Sequence, residues 1–264
     1  SDVYKRQKLY SPRWSIEEVL ECNDLIRYFW SRVMASEKVY PKTHSPIKNL
    51  ETAFRISGGG VAMKPSNFPM KTIDYILQKY NLNNNYYDYS CGWGVRMLSS
   101  FKMRVNYYGV DPNYILIDRL NEIKTGYEKS NQVKVFSDIR CVGSEQHQED
   151  WISKFGLAFS SPPYFGLEDY KIGEQSYKEG MEYSDWLNNY LTKTIENIFD
   201  YLIPDGNYLI NIKGYKNYPL SEDAKRISEA IGFKYQESIT LKNITRPSVK
   251  EDINTDESIL VFKK

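Results

Sequence analysis

Asp88-Tyr89-Ser90-Cys91-Gly92-Trp93-Gly94 decides how this 264-residue chain is read. Tyr86 to Ser90 has the composition of a buried strand, two glycines spaced G-x-G follow it, and a helix begins at about Val95. Strand, glycine turn and helix in that order aim free backbone N–H groups at a ligand and let it approach the main chain closely. Asp88, just before the glycines, suits a ligand that carries an ammonium group. Ser90 lies in the same loop. Asp111 ends the next strand, Tyr107 to Val110, and an acid there can accept hydrogen bonds from both hydroxyls of a ribose. The pattern fits a nicotinamide cofactor or S-adenosylmethionine. The dinucleotide form wants a third glycine where Met97 stands.

Outward from this loop the chain alternates strand and helix. Before it, Ile73 to Leu77 has helical spacing. After it, the second strand is followed by a helix over Asn113 to Lys124, and the third strand is placed at Ile139 to Val142, with Val133 to Phe136 competing. Leu157 to Phe159 reads as the fourth strand. Trp186 to Leu202 forms a long helix with apolar positions at 186, 187, 191, 195, 198 and 202. Pro204-Asp205-Gly206 marks a turn before a fifth strand, Tyr208 to Ile212. A helix over Ser221 to Ile231 ends at Gly232, a C-cap. Phe233 to Leu241 and Ser258 to Phe262 are the last two strands. This alternation predicts an α/β, Rossmann-like fold with a mainly parallel seven-stranded sheet. The two final strands, with no helix between them, predict an antiparallel edge hairpin. Residues 1–55 read as a helical accessory region and 56–264 as the main domain. In the former, Ser15 caps a helix through Ile16, Val19, Leu20, Leu25, Ile26, Phe29 and Trp30. Ser57-Gly58-Gly59-Gly60 is the joint between the two.

Composition narrows the class. No apolar run approaches the roughly 18 residues that span a bilayer. Three cysteines and two histidines, widely spaced, support neither a disulfide framework nor a zinc site. No metal and a reducing, cytoplasmic location are therefore expected. Net charge is +1, from 35 basic and 34 acidic residues, so any nucleic-acid contact must come from local arrangement. Residues 1–50 hold nine Lys and Arg against six acids. The 23 tyrosines read as a compositional bias of the source as much as a functional signal.

Ser161-Pro162-Pro163-Tyr164 carries the chemistry. Consecutive prolines at a strand end stiffen the backbone and remove two amide donors, leaving carbonyl acceptors. The Ser161 hydroxyl adds an acceptor and Tyr164 a flat face for stacking. This set suits the exocyclic amino group of a planar heterocycle. Such a nitrogen is a poor nucleophile, and hydrogen bonds from its N–H groups to fixed acceptors favour a pyramidal form with an available lone pair. A base inside a duplex must be flipped out to reach the set, with Tyr164 and Phe165 replacing its stacking partners. Gly143-Ser144-Glu145 follows the third strand, and Ser144 is placed to meet an adenine edge. Glu168 and Gln175 are candidate readers of the base or its neighbour. Lys213, at the end of the fifth strand, is a candidate phosphate contact.

Over roughly residues 56–242 the chain resembles the S-adenosylmethionine-dependent amino-methyltransferases of DNA, which modify N4 of cytosine or N6 of adenine. It is especially similar to small phage-type and bacterial DNA methylases with a Ser-Pro-Pro-Tyr-Phe-x-Leu-Glu-x-Tyr string, here Ser161 to Tyr170. The resemblance implies a class I methyltransferase fold, S-adenosyl-L-methionine as cofactor, DNA rather than RNA as partner, and a flipped-base mechanism. It implies that Lys64-Pro65-Ser66-Asn67-Phe68 helps enclose the methionine part, through Asn67 and Phe68. Asp88, Ser90, Gly92, Gly94, Asp111 and Ser144 match its cofactor motifs, and Ser161 to Tyr164 its catalytic motif. Cofactor motifs precede the catalytic one, so the chain is not of the permuted class. Serine at the first catalytic position is commoner among cytosine-N4 enzymes, which makes N4 the first expectation and adenine N6 the second. A cytosine-C5 enzyme needs a Pro-Cys dipeptide, and the chain has none. Candidate target-reading segments are the N-terminal region, Phe165 to Tyr183, and Asn243 to Thr255 with Arg246 and Lys250. The same amino-methylation of RNA or a nucleotide, and a non-catalytic binding module, are the competing readings.

Overall fold

In a computed structural model of the chain, residues 68–166, 175–215, 217–240 and 258–264 are described. The accessory region and its helix, the glycine joint, the boundary at residues 55 and 56, Asn67, Glu168, Arg246 and Lys250 lie outside the described residues.

Seven strands form one sheet: β1 (Asn85–Asp88), β2 (Asn106–Val110), β3 (Ser137–Arg140), β4 (Phe155–Ser160), β5 (Leu202–Ile212), β6 (Lys234–Thr240) and β7 (Ser258–Lys263). Their order is β3-β2-β1-β4-β5-β7-β6. The first five run parallel. β7 pairs antiparallel with both β5 and β6. Among the described residues the α-helices are α1 (Met70–Tyr80), α2 (Val95–Lys102), α3 (Tyr114–Asn131), α4 (Tyr183–Trp186), α5 (Lys193–Tyr201) and α6 (Leu220–Ile231). A π-helical run, Leu187–Thr192, joins α4 to α5. This is the Rossmann-like sheet of class I methyltransferases, with the antiparallel edge that the sequence predicts.

Alternation along the strands builds two cores. Tyr86, Tyr107, Leu157, Phe159 and Leu209 face α1, α2 and α3. Tyr87, Tyr108, Ala158, Tyr208 and Ile210 face the helical run from α4 to α5 and α6. Helices on both faces leave the carboxyl ends of the parallel strands as the open edge, where this architecture binds ligands.

Four differences from the sequence expectation have physical causes. β3 begins two residues before the first choice, Ile139 to Val142, and shares Ile139 and Arg140 with it, while Val133 to Phe136 lies outside it. It is the edge strand, half-buried throughout. It presents Asp138 and Arg140 to each other and Arg140 to Asp150, so it carries little apolar signal. The proposed turn at Pro204 to Gly206 is an excursion inside β5: Phe155 pairs with Leu202 and Leu157 with Asn207. The long helix is interrupted by the π-helical run, which brings Trp186 and Leu191, five residues apart, onto the same core face. Several of the described tyrosines serve the core. Tyr86, Tyr87, Tyr89, Tyr107, Tyr201 and Tyr208 are among the largest fully buried side chains. Tyr86 donates its hydroxyl proton to the Phe159 carbonyl at 2.7 Å.

Among the described residues no helix is long and apolar enough to cross a membrane. Nor do three or more His, Cys, Asp or Glu side chains gather where they could hold a metal ion.

Candidate active site

β1 ends at Asp88 and the chain turns through the glycine loop into α2. Gly94 takes a left-handed backbone, φ 77°, as the residue before the helix. A side chain there would be strained, and its Cβ would meet Leu120 Cδ2 at 2.6 Å. The turn therefore favours glycine, and any side chain there would also have to displace the Leu120 methyl on α3.

Asp88 is fully buried. Its Oδ2 accepts from Arg96 Nε at 2.8 Å and from the Tyr107 hydroxyl at 2.9 Å. Its Oδ1 accepts from the Ser90 N–H at 3.3 Å. Both oxygens thus have protein partners, which corrects the expectation that this carboxylate receives a ligand ammonium. Arg96, on the first turn of α2, also donates through Nη2 to the Ser90 carbonyl. The buried ion pair braces the loop from behind. In the sequence Arg96 is marked only by its place two residues after Gly94, where an amphipathic helix turns toward the sheet.

Asp111 follows β2 and is half-buried. Burial pushes its carboxyl up to about 6, and the nearby Asp88 charge adds to this, while N–H donation from Asn113 and Gly92 pulls it down. The Asn113 N–H lies 3.0 Å from Oδ1. A raised acid at the open edge of an α/β sheet is a mark of a binding position. β2 and β4 flank β1, so Asp111 and the end of β4 stand two strand spacings apart, about 10 Å.

β4 is buried over its whole length and ends at Ser160. Ser160 Oγ donates to the Ser90 carbonyl at 3.2 Å, joining the tetrapeptide's strand to the glycine loop. The Tyr89 hydroxyl is shared between the Ser160 carbonyl at 3.0 Å and the Leu209 carbonyl at 2.9 Å, joining in β5. Asn211 Nδ2 donates to Ser161 Oγ at 2.8 Å. The Lys213 N–H donates to the Tyr164 hydroxyl at 3.2 Å. The ends of β1, β4 and β5 are stitched together around Ser161 and its two prolines. In the sequence Asn211 is marked only as a single polar residue in the apolar run Tyr208-Leu209-Ile210-Asn211-Ile212.

The remaining predicted residues divide. Phe68 packs edge-on against Phe159, with ring centroids 5.6 Å apart. Lys213 is exposed at the end of β5, and Gln175 is half-buried ahead of α4. Ser144 is buried, its hydroxyl 2.8 Å from Thr194 Oγ1 and its carbonyl accepting from Asn197 Nδ2 at 2.9 Å. Its side chain therefore docks the β3 loop onto α5. Tyr164 is 6% exposed, a floor more than an open stacking face. Phe165 corrects a stronger expectation. It is 4% exposed, enclosed by Tyr177, Tyr183, Trp186 and Tyr218 with ring centroids 4.8–6.0 Å away. It anchors the loop after the tetrapeptide and is not a surface for a base.

No family model and no curated protein matches the sequence. Solved structures do resemble the fold. The [4+2]-cyclase SpnF aligns with TM-score 0.50 and 12% identity, covering 74% of this chain and 81% of that one. The N-methyltransferase NodS from Bradyrhizobium japonicum, bound to S-adenosyl-L-homocysteine, aligns with TM-score 0.48 and 11% identity, over 74% and 85%. A TehB-like SAM-dependent methyltransferase from Corynebacterium glutamicum gives 0.48 and 16%, over 82% and 97%. Identities this low speak to the fold alone. A cyclase stands among these neighbours, so the reaction must be argued from the site.

Proposed function

We propose that this chain transfers the methyl group of S-adenosylmethionine to the exocyclic amino group of a base flipped out of DNA, N4 of cytosine first and N6 of adenine second. One observation carries the reading: the Ser161-Pro162-Pro163-Tyr164 corner is held from behind by Asn211 and the Lys213 N–H, and tied to the glycine loop through Ser160 and Ser90.

The residues present fit the cofactor. Asp111 offers an acceptor for the ribose hydroxyls, with a raised carboxyl that a hydrogen-bonding ligand would relieve. The Gly92 and Gly94 turn lets a ligand lie against the backbone. Asp88 serves the site through Arg96 and the loop, not as a direct ligand. Bound there, S-adenosylmethionine supplies an electrophilic methyl group on a sulfonium.

The chain's own work is positioning. Ser161 Oγ and the Pro162 carbonyl accept the two amino N–H bonds and hold the nitrogen with its lone pair outward. The prolines present no N–H that could compete for that lone pair. Two reactants held in one geometry gain most of the rate that an in-line displacement needs. Exposed Lys213 supplies a cation beside the corner for a phosphate.

The near-neutral charge of the whole chain favours a second reading, the same transfer to RNA or a free nucleotide. Labelled cofactor offered with duplex DNA, single-stranded DNA, RNA and nucleotides separates them. The proposal expects label in DNA, with binding that weakens steeply as salt rises. Label in RNA or nucleotide alone supports the second reading, and label in none of them removes both.

A further inference from the structure

We infer that Asn211 is a positioning residue for the transfer, one that fixes the Ser161 hydroxyl so that a lone pair faces the amino group. This rests on the reading of Ser161 given above.

Asn211 is 2% exposed on β5, between Ile210 and Ile212, both fully buried. Its Cα partner is Ile259 of β7, and on the other side of β5 lies β4, which pairs with it up to Ser160 and Ile210 and leads into the corner. A buried primary amide in an apolar strand is costly unless it is hydrogen-bonded. One bond that it makes, Nδ2 to Ser161 Oγ at 2.8 Å, is of ordinary good length.

The chemistry follows from counting. A serine hydroxyl has two lone pairs and one proton. A free serine side chain rotates among three staggered positions, and only one would aim an acceptor at a given nitrogen. With the amide N–H on one lone pair, the hydroxyl is confined to the rotamer that reaches Asn211. The second lone pair and the proton share the two remaining tetrahedral positions, where an incoming amino N–H finds its acceptor. A hydroxyl already aimed needs no reorganisation when the amino group arrives. Ser160, one residue earlier, is fixed differently, by donating to the Ser90 carbonyl. The two adjacent serines thus divide the work: Ser160 joins the strand end to the glycine loop, and Ser161, held by Asn211, meets the substrate.

The test is a double-mutant cycle in the full chain between Asn211→Val and Ser161→Ala, read as methyl transfer to unmethylated DNA. Valine keeps a strand-compatible shape without a polar atom. S-adenosylhomocysteine affinity, measured by calorimetry, monitors the cofactor site. Each single change is expected to lower kcat about tenfold or more with cofactor affinity within about twofold, and the double change to lose no more than Ser161→Ala alone. Losses that multiply would overturn the inference, because Asn211 would then act apart from Ser161. Loss of cofactor binding in both Asn211→Val and Asn211→Ala would overturn it as well, by making the residue part of the general framework. A wild-type protein that leaves DNA unmethylated is a different failure and removes the parent reading.

Discussion

Ser160 Oγ lies 3.2 Å from the Ser90 carbonyl oxygen and donates to it. This bond connects the ends of β4 and β1 and holds the corner after Ser160 against the loop before Gly92. The same carbonyl accepts from Arg96, which also grips Asp88. The site is a set of three strand ends locked to one another before any ligand arrives.

Removing the Ser161 hydroxyl takes away an acceptor that matters to the amino group and not to the cofactor. Ser161→Ala is expected to lower kcat by about 10²-fold, a loss of the size seen when one fixed polar contact to the reacting group is removed. S-adenosylhomocysteine affinity should stay within about twofold. Comparable losses in both quantities would contradict the assignment.

Cofactor affinity should depend on pH through Asp111. Its folded-state carboxyl is raised to about 6 by burial. For a raised acid, the stabilising contribution is present when the group is protonated, below the unfolded value, and is lost as pH rises through about 6. A ribose needs the charged acceptor, so binding has the opposite trend and weakens as pH falls through the same range. S-adenosylhomocysteine should bind about tenfold more weakly at about pH 5 than at about pH 7.5, if binding draws the carboxyl below its raised value. Asp111→Asn should bind weakly at both and lose most of the difference. A flat profile for the wild-type chain would remove Asp111 from the ribose contact.

Arg96→Met leaves Asp88 buried without its cation. Breaking a buried pair in this way costs about 3–5 kcal/mol. Chemical denaturation should register that loss, and the Asp88→Asn change added to it should recover part of it. If Arg96→Met alone is as stable as wild type, the ion pair does not brace the loop.

Phe165→Ala opens a cavity among Tyr177, Tyr183, Trp186 and Tyr218. A buried phenylalanine truncated to alanine typically costs about 3–5 kcal/mol. The same change at an exposed stacking residue would scarcely alter stability and would act on substrate affinity. Melting curves with and without DNA distinguish the two, and an unchanged melting temperature would return Phe165 to the substrate.

Much of this architecture is legible from the chain. The glycine loop, Asp111 and the tetrapeptide announce themselves because turns, strand ends and proline pairs leave local marks. β1, β2, β4 and β7 are apolar enough to be placed within a few residues. β3 falls two residues from its first placement and has a competitor in Val133 to Phe136, because a half-buried edge strand carrying the Asp138 and Arg140 pair has little apolar signal. The π-helical run is hidden since its inserted residue alters spacing without altering composition. The partners of site residues are the least legible. Nothing near Asp88 in sequence says that Arg96 and Tyr107 take its carboxylate. Nothing near Phe165 says that aromatic rings from α4 and residue 218 will cover it. Apart from Arg96, only eight residues on, these partners come from separate segments and meet only when the fold brings them together.

The most direct test of the central claim is nucleoside mass spectrometry after the protein has met S-adenosylmethionine and unmethylated genomic DNA. The account predicts N4-methylcytosine, or N6-methyladenine in its place, and the loss of that product in Ser161→Ala. A protein that binds the cofactor yet leaves every base unmodified would contradict it.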